Sequence, residues 1–290
     1  MTETRNATVT RKATSVAASP PRKRVTFEDV AERALAIRQR YEDEKNESHN
    51  ILLYGNEGTG KTRLLTTARK PVLLASFDPG GPTTRDLQPL IKRGDILVQS
   101  YSGDVRLAPT KFREWEDDFL RYEAEGFFEH IGTYAIDSGT RWADAMMNEI
   151  VKKDGFKNKG IPDKPHYLVE QLTAVDYIGR FCALPCDIIF TGHIGMEKDD
   201  VTGQIFTSLL LAGKLSAKIP LCFDEKYVTR TKATPSGTQY LLQVHNDGQY
   251  RAETRMGGDT LEMFEEPNLK KLFAKAGFPF EDKPRLFDNA

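Results

Sequence analysis

The sequence is poor in cysteine, in net charge and in long apolar runs, and each shortage excludes a class of protein. Three cysteines among 290 residues cannot staple a fold of this size, and we expect them to be reduced thiols. A formal net charge of −1 restricts any nucleic-acid site to a local patch. The apolar runs are too short to cross a bilayer, and the N-terminus lacks the apolar core of a signal peptide. We therefore expect a cytoplasmic protein that makes no contact with a membrane.

One stretch of the chain carries a specific chemical signal. Residues 51–54 are apolar and predict a buried strand that ends at Gly55. The segment from Gly55 to Thr62 matches G-x-x-x-x-G-K-[ST] at every fixed position. Backbone N–H groups curl around a phosphate in such a loop, and glycine leaves room where the chain comes closest. We predict that ATP binds to Gly55, Asn56, Glu57, Gly58, Thr59, Gly60, Lys61 and Thr62.

Two side chains of this motif, together with an acid further along the chain, predict a magnesium site. Lys61 is expected to reach the β- and γ-phosphates of ATP, and the Thr62 hydroxyl to ligate Mg²⁺. Residues 131–136 predict another buried strand, which ends in Asp137. In P-loop NTPases an acid in this position holds Mg²⁺, usually through water. The expected cofactors are therefore ATP and Mg²⁺, with Thr62 and Asp137 on the metal.

Two further apolar strands end in polar residues. Residues 71–77 lead to Asp78, and residues 187–192 lead to His193. Ligands of α/β sheets lie at the carboxyl ends of the strands, so we expect Asp78 to face the nucleotide. His193 has two interpretations: it senses the γ-phosphate, or it forms a structural hydrogen bond.

The order of these patterns predicts an α/β protein. Strands alternate with helices up to about residue 193, and antiparallel hairpins follow. We expect four segments: a disordered basic tail at 1–24, a helix and linker at 25–47, an ATPase domain at 48–260, and a helix with a tail at 261–290. Residues 152–164 look like a loop rich in lysine and glycine. The loop is either a solvated surface segment or a contact for a phosphate backbone, through Lys152, Lys153, Lys157, Lys159 and Lys164.

The assembled pattern resembles the RecA-like P-loop NTPase core. More narrowly, it resembles phage-encoded AAA-domain nucleotide-binding proteins, some of which are single-strand annealing recombinases. The matching segments are residues 55–62, 134–138, 191–193, 213–224 and 250–257. The resemblance implies a mostly parallel sheet flanked by helices, with C-terminal antiparallel β hairpins.

The resemblance also implies roles for individual residues. Lys61, Asp78, Asp137 and His193 form the expected catalytic set. Asp78 lies where the family places its water-activating carboxylate, usually a Glu in Asp-x-Glu-Gly, and the displaced match here implies slow turnover. Residues 152–164 and 195–212 occupy the positions of the DNA-facing loops. Basic residues of the terminal strands either act on the γ-phosphate of a neighbouring subunit or are surface cations: Arg230, Lys232, Arg251 and Arg255.

The function implied is a DNA-stimulated ATPase acting on single-stranded DNA in phage recombination, annealing or repair. The expected assembly is a ring or filament of identical subunits in the host cytoplasm, with a single-strand-binding protein as a further partner. Two alternatives stay open. One is a nucleotide-dependent assembly or loading module with little turnover, and the other is a small-molecule P-loop kinase.

Overall fold

The computed structural model describes residues 25–44, 48–198, 201–257 and 260–287. The predicted basic tail at 1–24 lies outside these residues. The chain divides into two compact units, Met1–Asn46 and Glu47–Ala290. The second unit contains both the predicted ATPase domain and the predicted C-terminal segment. Within the described ranges, no helix combines the length and the apolarity that spanning a bilayer would require.

The first unit contains helix α1, Phe27–Glu44. It begins where Thr26 and Asp29 exchange hydrogen bonds: the Asp29 N–H donates to the Thr26 hydroxyl at 3.2 Å, and the Thr26 N–H donates to the Asp29 carboxylate at 2.9 Å. This reciprocal pair satisfies N–H groups that the first helical turn cannot satisfy itself. The helix predicted from residue 27 to about residue 41 is therefore present and runs one turn further.

The second unit is built on ten strands among the described residues. They are β1 (Asn50–Gly55), β2 (Val72–Ser76), β3 (Ile96–Ser100), β4 (Thr133–Asp137), β5 (Asp187–Gly192), β6 (Ile194–Lys198), β7 (Ile205–Leu209), β8 (Glu225–Thr234), β9 (Gly237–Gln243) and β10 (Phe264–Glu265). Eight form one sheet in the order β10-β9-β8-β1-β5-β4-β2-β3. The strands from β8 to β3 are parallel, and β9 and β10 add antiparallel pairs at one edge.

Helices cover both faces of this sheet. They are α2 (Lys61–Leu64), α3 (Gln88–Lys92), α4 (Lys111–Ala124), α5 (Gly139–Lys153), α6 (Lys157–Gly160), α7 (Lys164–Cys182), α8 (Leu215–Lys218) and α9 (Leu269–Ala276). Alternate residues of β1 enter two separate cores, Leu52 on one face and Leu53 on the other. The first core is aromatic and centres on Trp115 and Phe181, whereas the second is mostly aliphatic. This layered arrangement confirms the predicted fold class, a RecA-like α/β core with a mostly parallel sheet and C-terminal antiparallel strands.

The helix after the P-loop is shorter than its sequence suggests. Helical residues continue to Arg69, but α2 ends at Leu64 and a 3₁₀ turn, Leu65–Thr67, follows. The hydroxyls of Thr66 and Thr67 donate to the carbonyls of Arg63 and Leu64, at 2.8 and 2.7 Å. Threonine side chains that bind nearby carbonyls compete with the helix for these acceptors.

Helices extend into both ends of the lysine-rich stretch at 152–164. Helix α5 continues to Lys153 and α7 begins at Lys164, whereas α6 between them is a single turn in which Asn158 and Lys159 have left-handed φ values of 51° and 57°. A capping box explains the early start of α7, because the Asp163 carboxylate accepts from the backbone of His166 and the His166 ring accepts from the Asp163 N–H at 3.0 Å. Prolines and glycines made this stretch look like a loop, although Pro165 occupies the first turn, where proline is tolerated.

The antiparallel hairpins expected after residue 193 are present in part. Strands β6 and β7 form one hairpin, which pairs from Ile194–Leu209 to Lys198–Ile205. Residues 249–253 form no strand in the described part of the chain, and two isolated bridges occur there, at Tyr250 and Glu253. Strand β10 is the antiparallel partner of β9 at the edge of the sheet. Arg251 and Arg255 therefore lie in an irregular segment and not in terminal strands.

Candidate nucleotide-binding site

The P-loop follows β1 at the carboxyl end of the parallel sheet. Strand β1 lies between β5 and β8, and Gly55 pairs with Thr229 of β8. A Cβ atom on Gly55 would lie 2.2 Å from the Thr229 hydroxyl oxygen, so only glycine fits. Gly60 has a φ of +93°, in the left-handed region that side chains avoid. These two glycines let the backbone curl tightly enough to surround a phosphate.

Lys61 is largely buried at the centre of this loop, with 8% of its surface exposed. Its ammonium donates to the carbonyls of Gly55 and Asn56, both at 2.8 Å. Burial lowers the pKa of Lys61, and the nearby carboxylates of Asp137, Asp78 and Glu57 oppose this effect. An ammonium carries three N–H groups, so one remains for a further acceptor such as a phosphate oxygen.

Asp137 lies at the end of β4 and holds two hydroxyl groups. Thr62 Oγ1 donates to Oδ2 at 2.7 Å, and Thr191 Oγ1 donates to Oδ1 at 2.5 Å. Thr191 comes from β5, which runs between β1 and β4 and so carries its carboxyl end between the P-loop and the acid. Sequence analysis predicted a functional polar residue at the end of this strand. It named His193 and did not name Thr191.

Asp78 reaches the same edge of the sheet from β2. Ser76 pairs with Asp137, so the residue two positions later extends just past the carboxyl end of β4. The Ser138 hydroxyl donates to Asp78 Oδ1 at 2.6 Å. The prediction that Asp78 faces the nucleotide region agrees with this position, and the Ser138 contact leaves Oδ2 for another donor.

A cavity of about 490 Å³ lies against the P-loop and Asp78. Five predicted residues line it together with Asp78 and His193, namely Glu57, Gly58, Gly60, Lys61 and Thr62. Two lining residues that sequence analysis missed are Arg141, in the first turn of α5, and Tyr240 on β9. Arg141 follows an acid-ended strand closely and could have been expected at this edge. Tyr240 could not, because only its pairing with Thr231 of β8 brings it beside Gly60.

The donor set around Asp137 fits a magnesium ion. Asp137 is 4% exposed, and burial raises its pKa, helped by the charge of Asp78 and opposed by Thr191, Thr62 and Lys61. Among the described residues its carboxylate forms no salt bridge, so its charge is balanced by hydroxyls and by Lys61 at longer range. Carboxylate and hydroxyl oxygens are ligands that Mg²⁺ prefers, usually alongside phosphate oxygens and water. Thr62 and Asp137 are therefore the residues that would hold the metal.

The predicted DNA-contacting lysines lie far from this cavity. Helix α5 begins at Gly139 beside Asp137 and runs away for 15 residues, which is about 20 Å at the usual helical rise. Two of the five lysines are paired internally: Lys157 lies 2.6 Å from Asp154, and Lys152 donates to the Pro109 carbonyl at 2.8 Å. All five lysines are nevertheless exposed to solvent: Lys152, Lys153, Lys157, Lys159 and Lys164.

The four cations predicted to act on a neighbour do not form one group. Arg230 lies on β8 one residue beyond Thr229, the partner of Gly55, and it pairs with Asp247 at 3.3 Å and stacks over the Tyr250 ring. Arg255 lies at the amino end of β8, 2.8 Å from Asp224. The remaining two differ as well: Arg251 covers the Phe206 ring, whereas Lys232 is exposed on β8.

Comparison with known proteins identifies a family that the sequence matches. The model of the AAA domain family matches residues 47–256. The structure is similar to the flagellar accessory protein FlaH from Methanocaldococcus jannaschii, at 13% identity and a TM-score of 0.35, over 72% of this chain and 83% of FlaH. A likeness this distant carries no argument about function. No curated protein matches the sequence. Because the family model covers most of the chain and its P-loop, the chain belongs to the AAA domain family.

Proposed function

We propose that the chain binds ATP with Mg²⁺ and hydrolyses it slowly. The observation that carries this proposal is the convergence of Lys61, Thr62 and Asp78 on one cavity at the carboxyl end of the sheet, with Asp137 buried behind Thr62 and accepting a hydrogen bond from it. Backbone N–H groups of the loop and the Lys61 ammonium would bind the phosphates. Magnesium, when bound, supplies positive charge against the phosphate oxygens.

Asp78 is the residue best placed to handle the attacking water. Ser138 holds one carboxylate oxygen at 2.6 Å, which restricts the rotation of the side chain. The other oxygen is available to accept a hydrogen bond from water and to take its proton. Lys61 and Arg141 line the same cavity and would stabilise charge that develops on the γ-phosphate. His193 lies on the wall shared with the neighbouring cavity, a position that supports the proposed sensing role.

We further propose that the protein acts on single-stranded DNA as an assembly of identical subunits, in recombination, annealing or repair of phage DNA. Exposed lysines at the far end of α5 support contact with a phosphate backbone, and affinity should then fall steeply with salt. Of the cations proposed to act on a neighbour, Lys232 has the best support, because it is exposed and lies past Gly55 on the nucleotide side of β8. Arg255 has the least, since it lies at the opposite end of that strand.

One alternative has an observation in its favour. A second cavity, of about 780 Å³, adjoins the phosphate cavity and could hold a small phosphoryl acceptor. A kinase needs such a space, whereas a loading module without turnover does not.

The deciding experiment measures ATP hydrolysis by the full chain with and without single-stranded DNA, with Lys61→Ala as the inactive control. We expect slow hydrolysis that DNA accelerates and that higher salt returns to its basal rate. Hydrolysis unaffected by DNA would remove the DNA proposal and keep the ATPase. Nucleotide binding without turnover would identify a loading module, and consumption of ATP only with a small-molecule acceptor would identify a kinase.

A further inference from the structure

The second cavity lies directly beside the phosphate cavity. Glu57, Arg141 and His193 line both spaces, so an occupant of one would touch the walls of the other. The remaining walls come from the first turns of α5, from Glu170 on α7, and from the segments that follow β5 and β7. None of the roles proposed for ATP hydrolysis uses Glu170.

Glu170 is a buried acid with one carboxylate oxygen that no described residue hydrogen-bonds. It is 2% exposed, and its Oε2 has no hydrogen-bond partner among the described residues. Burial, together with the nearby charge of Asp144, raises the pKa of Glu170 to about 7. An unpaired carboxylate is costly to keep away from water, and this cost favours either protonation or a ligand that brings positive charge.

Among the described residues that line the cavity, no basic side chain is left to pair with Glu170. Arg141 is the only basic side chain that lines the cavity in the described part of the chain besides the imidazole of His193. Its guanidinium lies 3.2 Å from the carboxylate of Asp144 and is therefore already paired. Glu57 adds a further acid at the P-loop side. With His193 neutral, the lining carries three carboxyl groups against one guanidinium.

Apolar side chains form the remainder of the lining. They come from the helix α5 and from the segments around the β6–β7 hairpin: Ala143, Ile194, Leu210, Leu211 and Ala212. A hydrocarbon stem could pack against these side chains while its charged end approached the acid. Lysine and arginine side chains combine a stem and a charged end in this way.

We propose that this cavity binds an organic cation, an alkylguanidinium or alkylammonium group, with its charge against Glu170 and its stem on the apolar wall. Two sources can supply this cationic group with the same chemistry. One is a free small molecule, and the other is an Arg or Lys side chain of a second copy of the chain. Because three residues line both cavities, binding of the cation and binding of nucleotide should influence each other, and this influence must be reciprocal. The proposal does not depend on whether ATP is hydrolysed.

The test is a ligand-observed NMR titration of the full chain with n-butylguanidinium, without nucleotide. Its matched control is n-butylurea, which has a similar shape and no charge. For a fragment of this size we expect a Kd on the order of 1 mM. Glu170→Gln should weaken binding by about 10-fold or more, because a hydrogen bond to an ionised group is lost. Binding of butylurea should be too weak to measure in both proteins.

Two variants keep the test independent of folding. Glu149→Gln removes another buried carboxylate, which lies 3.3 Å from Lys152 and outside the cavity, and should leave the affinity unchanged. Leu210→Arg places a fixed cation at a half-exposed position on the cavity wall and should weaken binding with little effect on the fold. Equal affinity of the parent and Glu170→Gln, or equal affinity for butylguanidinium and butylurea, would overturn the proposal.

Sedimentation separates the two sources of the cation. If a second copy supplies it, saturating butylguanidinium and the Glu170→Gln substitution should each shift the assembly towards monomer. If a free molecule supplies it, the sedimenting mass should stay the same while the NMR titration still saturates. In either case, failure of ATP hydrolysis would leave the titration unaffected, so the two proposals fail separately.

Discussion

The two ends of the parallel sheet both bury acids, and they balance these charges differently. At the amino end, Asp187 is the first residue of β5 and lies 3.2 Å from the guanidinium of Arg69. The backbone N–H of His49 donates to the same carboxylate at 3.0 Å. At the carboxyl end, Asp137 accepts hydrogen bonds from the hydroxyls of two threonines and has no salt bridge among the residues described.

A second acid at the amino end follows the same rule. Asp95, just before β3, lies 3.0 Å from Arg93 and 2.7 Å from Arg285 of the C-terminal segment. Burial opposes its ionisation, yet hydrogen bonds from Arg285 and Arg93 hold the pKa of Asp95 below its usual value. The amino end thus satisfies its carboxylates with the chain's own cations. At the carboxyl end, Asp137 and Glu170 form no salt bridge among the residues described, as the proposed binding of Mg²⁺ and of an organic cation would require.

The largest expected effect comes from removing Lys61, the buried cation at the carboxyl end of the sheet. Lys61→Ala should reduce ATP turnover by at least about 100-fold, because the ammonium aimed at the β- and γ-phosphates is lost. Steady-state ATPase assays measure the effect. Arg113→Ala, which removes an exposed cation that does not line the cavity, is the control and should keep turnover near the parent rate. Turnover of Lys61→Ala near the parent rate would show that the loop does not bind the phosphates.

The next largest effect is expected on the rate of hydrolysis when Asp78, the acid that faces the cavity, is replaced. Asp78→Asn should slow hydrolysis by about 10²–10⁴-fold, the usual range for removing a general base, while ATP affinity changes little. Single-turnover hydrolysis and equilibrium nucleotide binding separate the two quantities. An unchanged rate would assign water activation to another group.

At the amino end, the effect should be on stability. Arg69→Ala leaves Asp187 buried without its partner and should lower the free energy of unfolding by about 3–5 kcal/mol. Arg113→Ala breaks an exposed pair with Asp117 and serves as the control, with an expected loss of about 0–1 kcal/mol. Urea unfolding at pH 7 measures both variants. Similar losses in the two would mean that the Arg69–Asp187 pair is no more important than a surface pair.

The smallest effect is a dependence on pH at Glu170. Its pKa, raised to about 7 by burial, means that the folded protein favours the protonated acid. The stability that this acid contributes is full below its ordinary pKa and is lost as the pH rises through about 7. Relative to the parent, Glu170→Gln should therefore gain about 1–3 kcal/mol in unfolding free energy between pH 4 and pH 8. Urea unfolding across this range checks it, and a difference independent of pH would contradict the unpaired state of Glu170.

Particular residues show how much of the fold and of the site could be predicted from the sequence. The spacing from Gly55 to Thr62 predicted the loop because phosphate binding constrains adjacent residues. Asp78 and Asp137 could be placed because each ends an apolar strand. The lysines at 152–164 were misjudged because proline and glycine are compatible with both loops and helix starts.

Local spacing and hydrophobic pattern are sufficient to predict the P-loop, the α/β class and which strands end in acids. Which of these strand ends meet depends on the order of the strands in the folded sheet. Strand order inserts β5 between β1 and β4 and so gives Asp137 its second hydroxyl, Thr191. Packing of α7 against α5 buries Glu170 beside Asp144, more than 20 positions apart in the chain. Contacts between distant residues depend on topology, and no local pattern encodes them.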